Sequence, residues 1–191
     1  MHSVPDKIVL IGASTGGPSQ IEKIIKSLPK LENTSFIIAQ HMVDGFIPSF
    51  AQRLQDKHIN IISVVENNNI LKKAHIYLCT GFTHIEKQNS ELVFKNKACD
   101  HNSYNPDIDT LFNSFVSLAK DIKILCVILT GIGEDGVSSS KELSLNGARC
   151  ITENESSAIV DGMPARARAI VPNIEVYDID EIAKIIYEFC E

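Results

Sequence analysis

The sequence has no excess of basic charge, no paired cysteines and no long apolar run, and each lack removes a class of function. Its 18 lysines and arginines against 24 aspartates and glutamates leave a net charge of −6 over 191 residues. Phosphate contacts need a concentrated basic face, so neither DNA nor RNA is an expected partner. The five cysteines, Cys79, Cys99, Cys126, Cys150 and Cys190, are odd in number, widely spaced and without a CxxC pair. Neither a disulfide framework nor a zinc site is indicated, and a reducing cytoplasm fits best. No stretch reaches the roughly 20 apolar residues that span a bilayer, and the start, MHSVPDKIV, has no apolar region with a cleavage site. Membrane insertion and export are therefore not expected. Internal repeats, low-complexity tracts and linkers are missing too. At 44% hydrophobic content the chain can bury one sizeable core, so residues 1–191 are expected to form a single domain.

What is present is organised around Lys7 to Gln20, KIVLIGASTGGPSQ. Ile8 to Ile11 form a continuous aliphatic run, as in a strand buried on both faces of a parallel sheet. Gly12, Gly16 and Gly17 permit a sharp turn, Pro18 suits the first position of a helix, and Ile21, Ile24, Ile25 and Leu28 repeat at helical spacing. The segment reads as strand, elbow, helix, with Ser14 at the corner. Gly12-Ala13-Ser14-Thr15-Gly16 fits G-x-S-x-G, the pattern of a nucleophilic serine on a tight elbow. A plain strand-to-helix turn and a phosphate-cradling glycine loop fit the same letters.

Further along, Ser35 to Ala39 reads as a strand ending at Gln40-His41-Met42, which places His41 at a carboxyl end. Gly45 to Leu54 reads as a short helix with Phe46, Ile47, Phe50 and Leu54 on its apolar face. Ile59 to Val65 and Ala74 to Thr80 read as strands, and Thr83 to Lys87 with Glu91 to Lys95 as an antiparallel hairpin at one edge of the main sheet. After the polar loop His101 to Asp107, the residues Ile108, Leu111, Phe112, Phe115 and Leu118 give the clearest helical pattern. Lys123 to Thr130 is a fully apolar strand leading into Gly131-Ile132-Gly133-Glu134-Asp135-Gly136 and a helix that stops near Asn146-Gly147. Arg149 to Thr152 and Ile174 to Tyr177 are late strands, and Asp178 can cap a closing helix to Glu188. Strands alternating with helices predict an α/β fold, a doubly wound and mainly parallel sheet whose ligands sit at the strands' carboxyl ends.

Ser14, His41 and Asp135 each fall just past such an end. A serine hydroxyl needs a base to take its proton, and an imidazole does so best when a carboxylate fixes its tautomer. Singly, each has a bland reading: turn hydroxyl, strand-end histidine, helix cap. Together on one sheet edge they favour catalysis, with Asp44, Asp109 and Asp161 as competitors for the acid. The same region holds a rival, since Gly131-x-Gly133-x-x-Gly136 followed by Glu153 outlines a dinucleotide-binding fingerprint. Glu134 and Asp135 would put two carboxylates where that fingerprint receives a pyrophosphate, which opposes it.

GASTGG with Ser14, AQHM with His41 and LTGIGEDG with Asp135 together resemble the catalytic domain of the CheB-type chemotaxis protein-glutamate methylesterases. Phe50 to Leu54, Asn105 to Phe112 and Ala158 to Pro164 extend the resemblance over most of the chain. It implies Ser14 as nucleophile, His41 as general base and Asp135 as orienting acid, with no cofactor and no metal. It implies hydrolysis of glutamate γ-methyl esters on the cytoplasmic helices of methyl-accepting chemotaxis receptors, and in some relatives deamidation of receptor glutamines. Backbone N–H groups at Thr15 and in the loop of Gly131, Ile132 and Gly133 are candidate oxyanion donors. Met163 lines the cleft or packs beneath it. Arg166 and Arg168 either face acidic receptor helices or form an ordinary solvated face. His84, His101 and Cys126 lack any spacing for metal, and Met1 and His2 read as a tail. Asp107 stands where the family usually has serine, and Leu71-Lys72-Lys73 replaces a commoner proline-glycine turn. Family members commonly carry an N-terminal receiver domain; Ser14 is too near Met1 for one, so none is expected in this chain.

Overall fold

In a computed structural model, residues 4–43, 45–98 and 105–191 are described. Met1, His2, Asp44, Cys99 and His101, named above, lie outside them. The first strand, β1 (Lys7–Ala13), is followed by α1 (Gly17–Ser27), β2 (Thr34–Gln40), α2 (Phe46–Gln55), β3 (Ile61–Val64) and β4 (His75–Leu78). The hairpin strands are β5 (Phe82–Gln88) and β6 (Glu91–Lys97). Then come α3 (Ile108–Asn113), a 3-10 turn at Val116–Leu118, β7 (Lys123–Ile128), α4 (Val137–Leu145), β8 (Arg149–Glu153), α5 (Met163–Ile170), β9 (Glu175–Tyr177) and α6 (Ile179–Cys190).

Seven strands form one parallel sheet in the order β3-β4-β2-β1-β7-β8-β9. The apolar runs predicted as strands are buried because both faces are covered. Along β1, Ile8 and Leu10 pack on one side with α3, α4, α5 and the hairpin, and Val9 and Ile11 pack on the other with α1, α2 and α6. The connection after β1 leaves on one face and that after β7 on the other. The crevice between their carboxyl ends is therefore the switch point at which such sheets bind ligands.

Two expectations change. The helical pattern from Ile108 to Leu118 is not one helix. α3 has six residues, and Ser114 stops it by turning its hydroxyl back to Leu111 O while accepting Ile85 N–H. The chain then tightens into 3-10 geometry, which keeps side chains three apart on one face and so mimics the longer helix. The expected antiparallel hairpin forms, as a two-stranded sheet beside the main one, with Ile85, Leu92 and Phe94 in the α3-side core. In α2 the buried stripe is Ile47, Phe50, Ala51 and Leu54. Phe46 lies about 90° from the centre of that stripe and is 63% exposed.

Asp178 caps α6 as expected. Its side chain accepts Glu181 N–H at 2.8 Å, and the Glu181 carboxylate returns to Asp178 N–H at 3.2 Å. Asp178→Ala is expected to cost about 1 kcal/mol and to lower Tm by roughly 2–4 °C in a thermal melt.

Candidate active site

Register brings the first two residues together. Ala13 pairs with Gln40 in the β1/β2 ladder, and His41 N–H donates to Ala13 O at 2.9 Å, so Ser14 and His41 are the next pair beyond the sheet. Neighbouring strands lie about 4.8 Å apart, within reach of a serine hydroxyl and an imidazole. Gln40 fastens the two together: its Nε2 donates to both Ser14 O and His41 O at 2.8 Å. Sequence reasoning quoted this glutamine only as part of a motif.

Asp135 arrives from the other side of β1, on the loop between β7 and α4. Its Oδ2 lies 2.7 Å from His41 Nε2. Asp135 is 5% exposed, and its carboxylate is satisfied by the start of α3: Ile108 N–H donates to Oδ2 at 2.9 Å and Asp109 N–H to Oδ1 at 3.0 Å. The positive end of a helix suits a negative group. Asp107 caps the same helix by accepting Thr110 N–H. With Nε2 turned to Asp135, Nδ1 is the ring nitrogen on the opposite edge.

The competing acids Asp109 and Asp161 are engaged elsewhere. Asp109 accepts from Ser139 N–H and Ser139 Oγ, and Asp161 is clasped by Arg168. Arg168 also donates to Glu153 O at 2.8 Å, so it is spent inside the structure, whereas Arg166 is exposed. Burial pushes the Cys79 and Cys126 thiols well above their ordinary range. Among the described residues no cluster of side chains could hold a metal ion.

The glycine loop after β7 is shaped by the serine turn rather than left open for a pyrophosphate. A Cβ at Gly131 would lie 2.6 Å from Ser14 Cβ and 2.5 Å from Met163 Sδ. Met163 is fully buried, and its N–H donates to Gly131 O at 2.8 Å, so it packs directly under the loop beside Ser14. Gly131 N–H is bonded to Val160 O. The N–H groups of Thr15, Ile132 and Gly133 meet no acceptor among the described residues. The Ile132 side chain is 63% exposed.

Glu153, which a dinucleotide site would need beside the ribose, is wholly buried. Its carboxylate accepts from Thr130 N–H at 2.7 Å, and from Gln20 Nε2 and Ser157 Oγ at 3.0 Å each. Burial raises its pKa above the usual 4.5, with the nearby Asp161 charge adding to the effect. A carboxyl raised on folding contributes stability that is complete below its unfolded value and is lost as pH rises through its folded value. As pH rises above about 4.5, wild type should therefore lose Tm relative to Glu153→Gln, which thermal melts of both on either side of that pH would measure.

Residues 9–186 match the family described as CheB methylesterase. A protein-glutamate methylesterase/protein-glutamine glutaminase of Pectobacterium atrosepticum is 34% identical over 182 residues, covering 94% of this chain and 51% of that protein. One from Thiobacillus denitrificans is 34% identical over 188 residues, covering 96% and 52%. The chain thus spans about half the length of the curated relatives it matches. The crystal structure of the Thermotoga maritima CheB methylesterase catalytic domain superposes with a TM-score of 0.87 at 30% identity, covering 97% of this chain and 99% of that one. No helix among the described residues is long and apolar enough to cross a membrane.

Proposed function

Because this chain belongs to the CheB methylesterase family, we propose that it hydrolyses glutamate γ-methyl esters, and glutamine side-chain amides, on the cytoplasmic helices of methyl-accepting chemotaxis receptors. The observation that carries the reading is the His41 Nε2 to Asp135 Oδ2 contact of 2.7 Å, with Ser14 opposite His41 in the next register position. Membership of the family supports receptors as the substrate and a cytoplasmic location; the arrangement of Ser14, His41 and Asp135 supports the chemistry.

Ser14 Oγ attacks the ester carbonyl as its proton passes to His41 Nδ1, the nitrogen that Asp135 does not occupy. The carbonyl oxygen becomes an oxyanion, for which the N–H groups of Thr15, Ile132 and Gly133 are the candidate donors. Such donors supply about 3 kcal/mol each in other hydrolases. The tetrahedral species collapses, the C–O bond to the methyl group's oxygen breaks, and His41 returns the proton so that methanol leaves. Water then attacks the acyl-serine with the same base, and glutamate and free Ser14 are restored. Asp135 stays ionised throughout, holding the ring and balancing the imidazolium.

Methanol release from membranes carrying methylated receptors tests this. Ser14→Ala and Asp135→Asn are each expected to lower release by about 10⁴-fold or to background, with circular dichroism unchanged. Equal release by wild type and Ser14→Ala would refute the serine mechanism. Silence from wild type, with a known esterase active alongside, would favour a receptor-binding module without catalysis.

A further inference from the structure

We propose that Glu153 is a positioning residue of this site: its buried carboxylate holds the turn that presents Ser14 to His41. The proposal rests on the Ser14 hydrolase reading and adds a residue to it.

Glu153 is the last residue of β8, two strands away from β1, and its bonds go to the supports of the serine turn rather than to the triad. On one side Oε2 takes Thr130 N–H at 2.7 Å. Thr130 is what Ser14 leans on. Its carbonyl accepts Ser14 N–H at 3.0 Å, and its hydroxyl donates to Thr15 O at 2.9 Å while accepting Val160 N–H at 2.7 Å. On the other side Oε1 takes Gln20 Nε2 at 3.0 Å, and Gln20 lies in the first turn of α1, the helix that continues from the serine turn. Ser157 Oγ adds a third donor at 3.0 Å and itself accepts Ile179 N–H at 2.8 Å. Both ends of the Ser14–Gly16 turn are thus tied, each through one intermediary, to a single carboxylate.

Three converging donors require a group that only accepts, and an ionised carboxylate is the side chain that does so. An amide at 153 keeps one acceptor for Thr130 N–H, and Gln20 can rotate its own amide to offer an oxygen to the new NH₂. Alanine strands Thr130 N–H and the Ser157 hydroxyl and leaves Gln20 Nε2 only its 3.3 Å contact with Ser157 O. A turn loosened in that way misplaces a hydroxyl whose position matters chiefly in the transition state, so the loss falls on kcat and spares KM.

The test uses the whole chain, a synthetic peptide carrying a glutamate γ-methyl ester, and amide hydrogen exchange at Ser14 and Thr130. Glu153→Ala is expected to lower kcat by about ten- to a hundredfold with KM within about twofold, and to speed exchange at both amides. Glu153→Gln is expected to recover most of the lost kcat and the slow exchange. If the alanine variant does not fold, Glu153→Met fills the volume without an acceptor and takes its place. Wild-type kcat in the acceptor-less variant, a loss confined to KM, or a glutamine variant no better than alanine would overturn the proposal. A wild-type protein that releases no methanol overturns the hydrolase reading instead, and the exchange rates then decide alone whether Glu153 holds the turn.

Discussion

A carboxylate shut away from water is tolerable only if donors surround it, and the crevice is built around meeting that demand at Asp135. Leaving such a group unpaired would cost several kcal/mol, so its partners are not optional. Two are backbone N–H groups at the start of α3, which fixes where that helix begins. The third is His41 Nε2, which fixes the face of the imidazole. The close seat of α3 in turn needs Gly12, where a Cβ would lie 2.8 Å from Ile108 Cγ2. One electrostatic requirement thereby links β1, β2, α3 and the loop after β7, and the serine turn closes the set through the β1/β2 register.

Much of this was legible in the letters because burial on both faces of a parallel sheet leaves uninterrupted aliphatic runs. Ile8 to Ile11 and Lys123 to Thr130 announced the two central strands, and the residues just beyond them announced the site. What periodicity could not convey was the length of α3, since a helix followed by a 3-10 turn repeats its apolar side chains in nearly the same rhythm. It also could not show which aspartate reaches the histidine. Asp109 and Asp135 both sit near the start of a helix, and only the packing of α3 against the glycine loop sends one to His41 and the other to Ser139.

Glu153 is the instructive case. Its spacing from a glycine loop suggested a ribose contact, a reading that treats the carboxylate as facing a ligand. Inside the fold it faces three protein donors instead. Nothing in its neighbours announces this, because Gln20, Thr130 and Ser157 are scattered over 138 positions of sequence and meet only once the sheet has formed. Arg168 was misjudged for the same reason: a cation on a short helix looks solvated until Asp161 and Glu153 O are seen to claim it.

Among the described residues, the apolar layers on the two faces of the sheet have no side chain in common. Drift in one layer is therefore silent in the other, so long as the strands keep their alternation. A lineage built on this plan can re-clothe its outer helices, on one side or the other, to suit new neighbours while inheriting the same reactive edge intact.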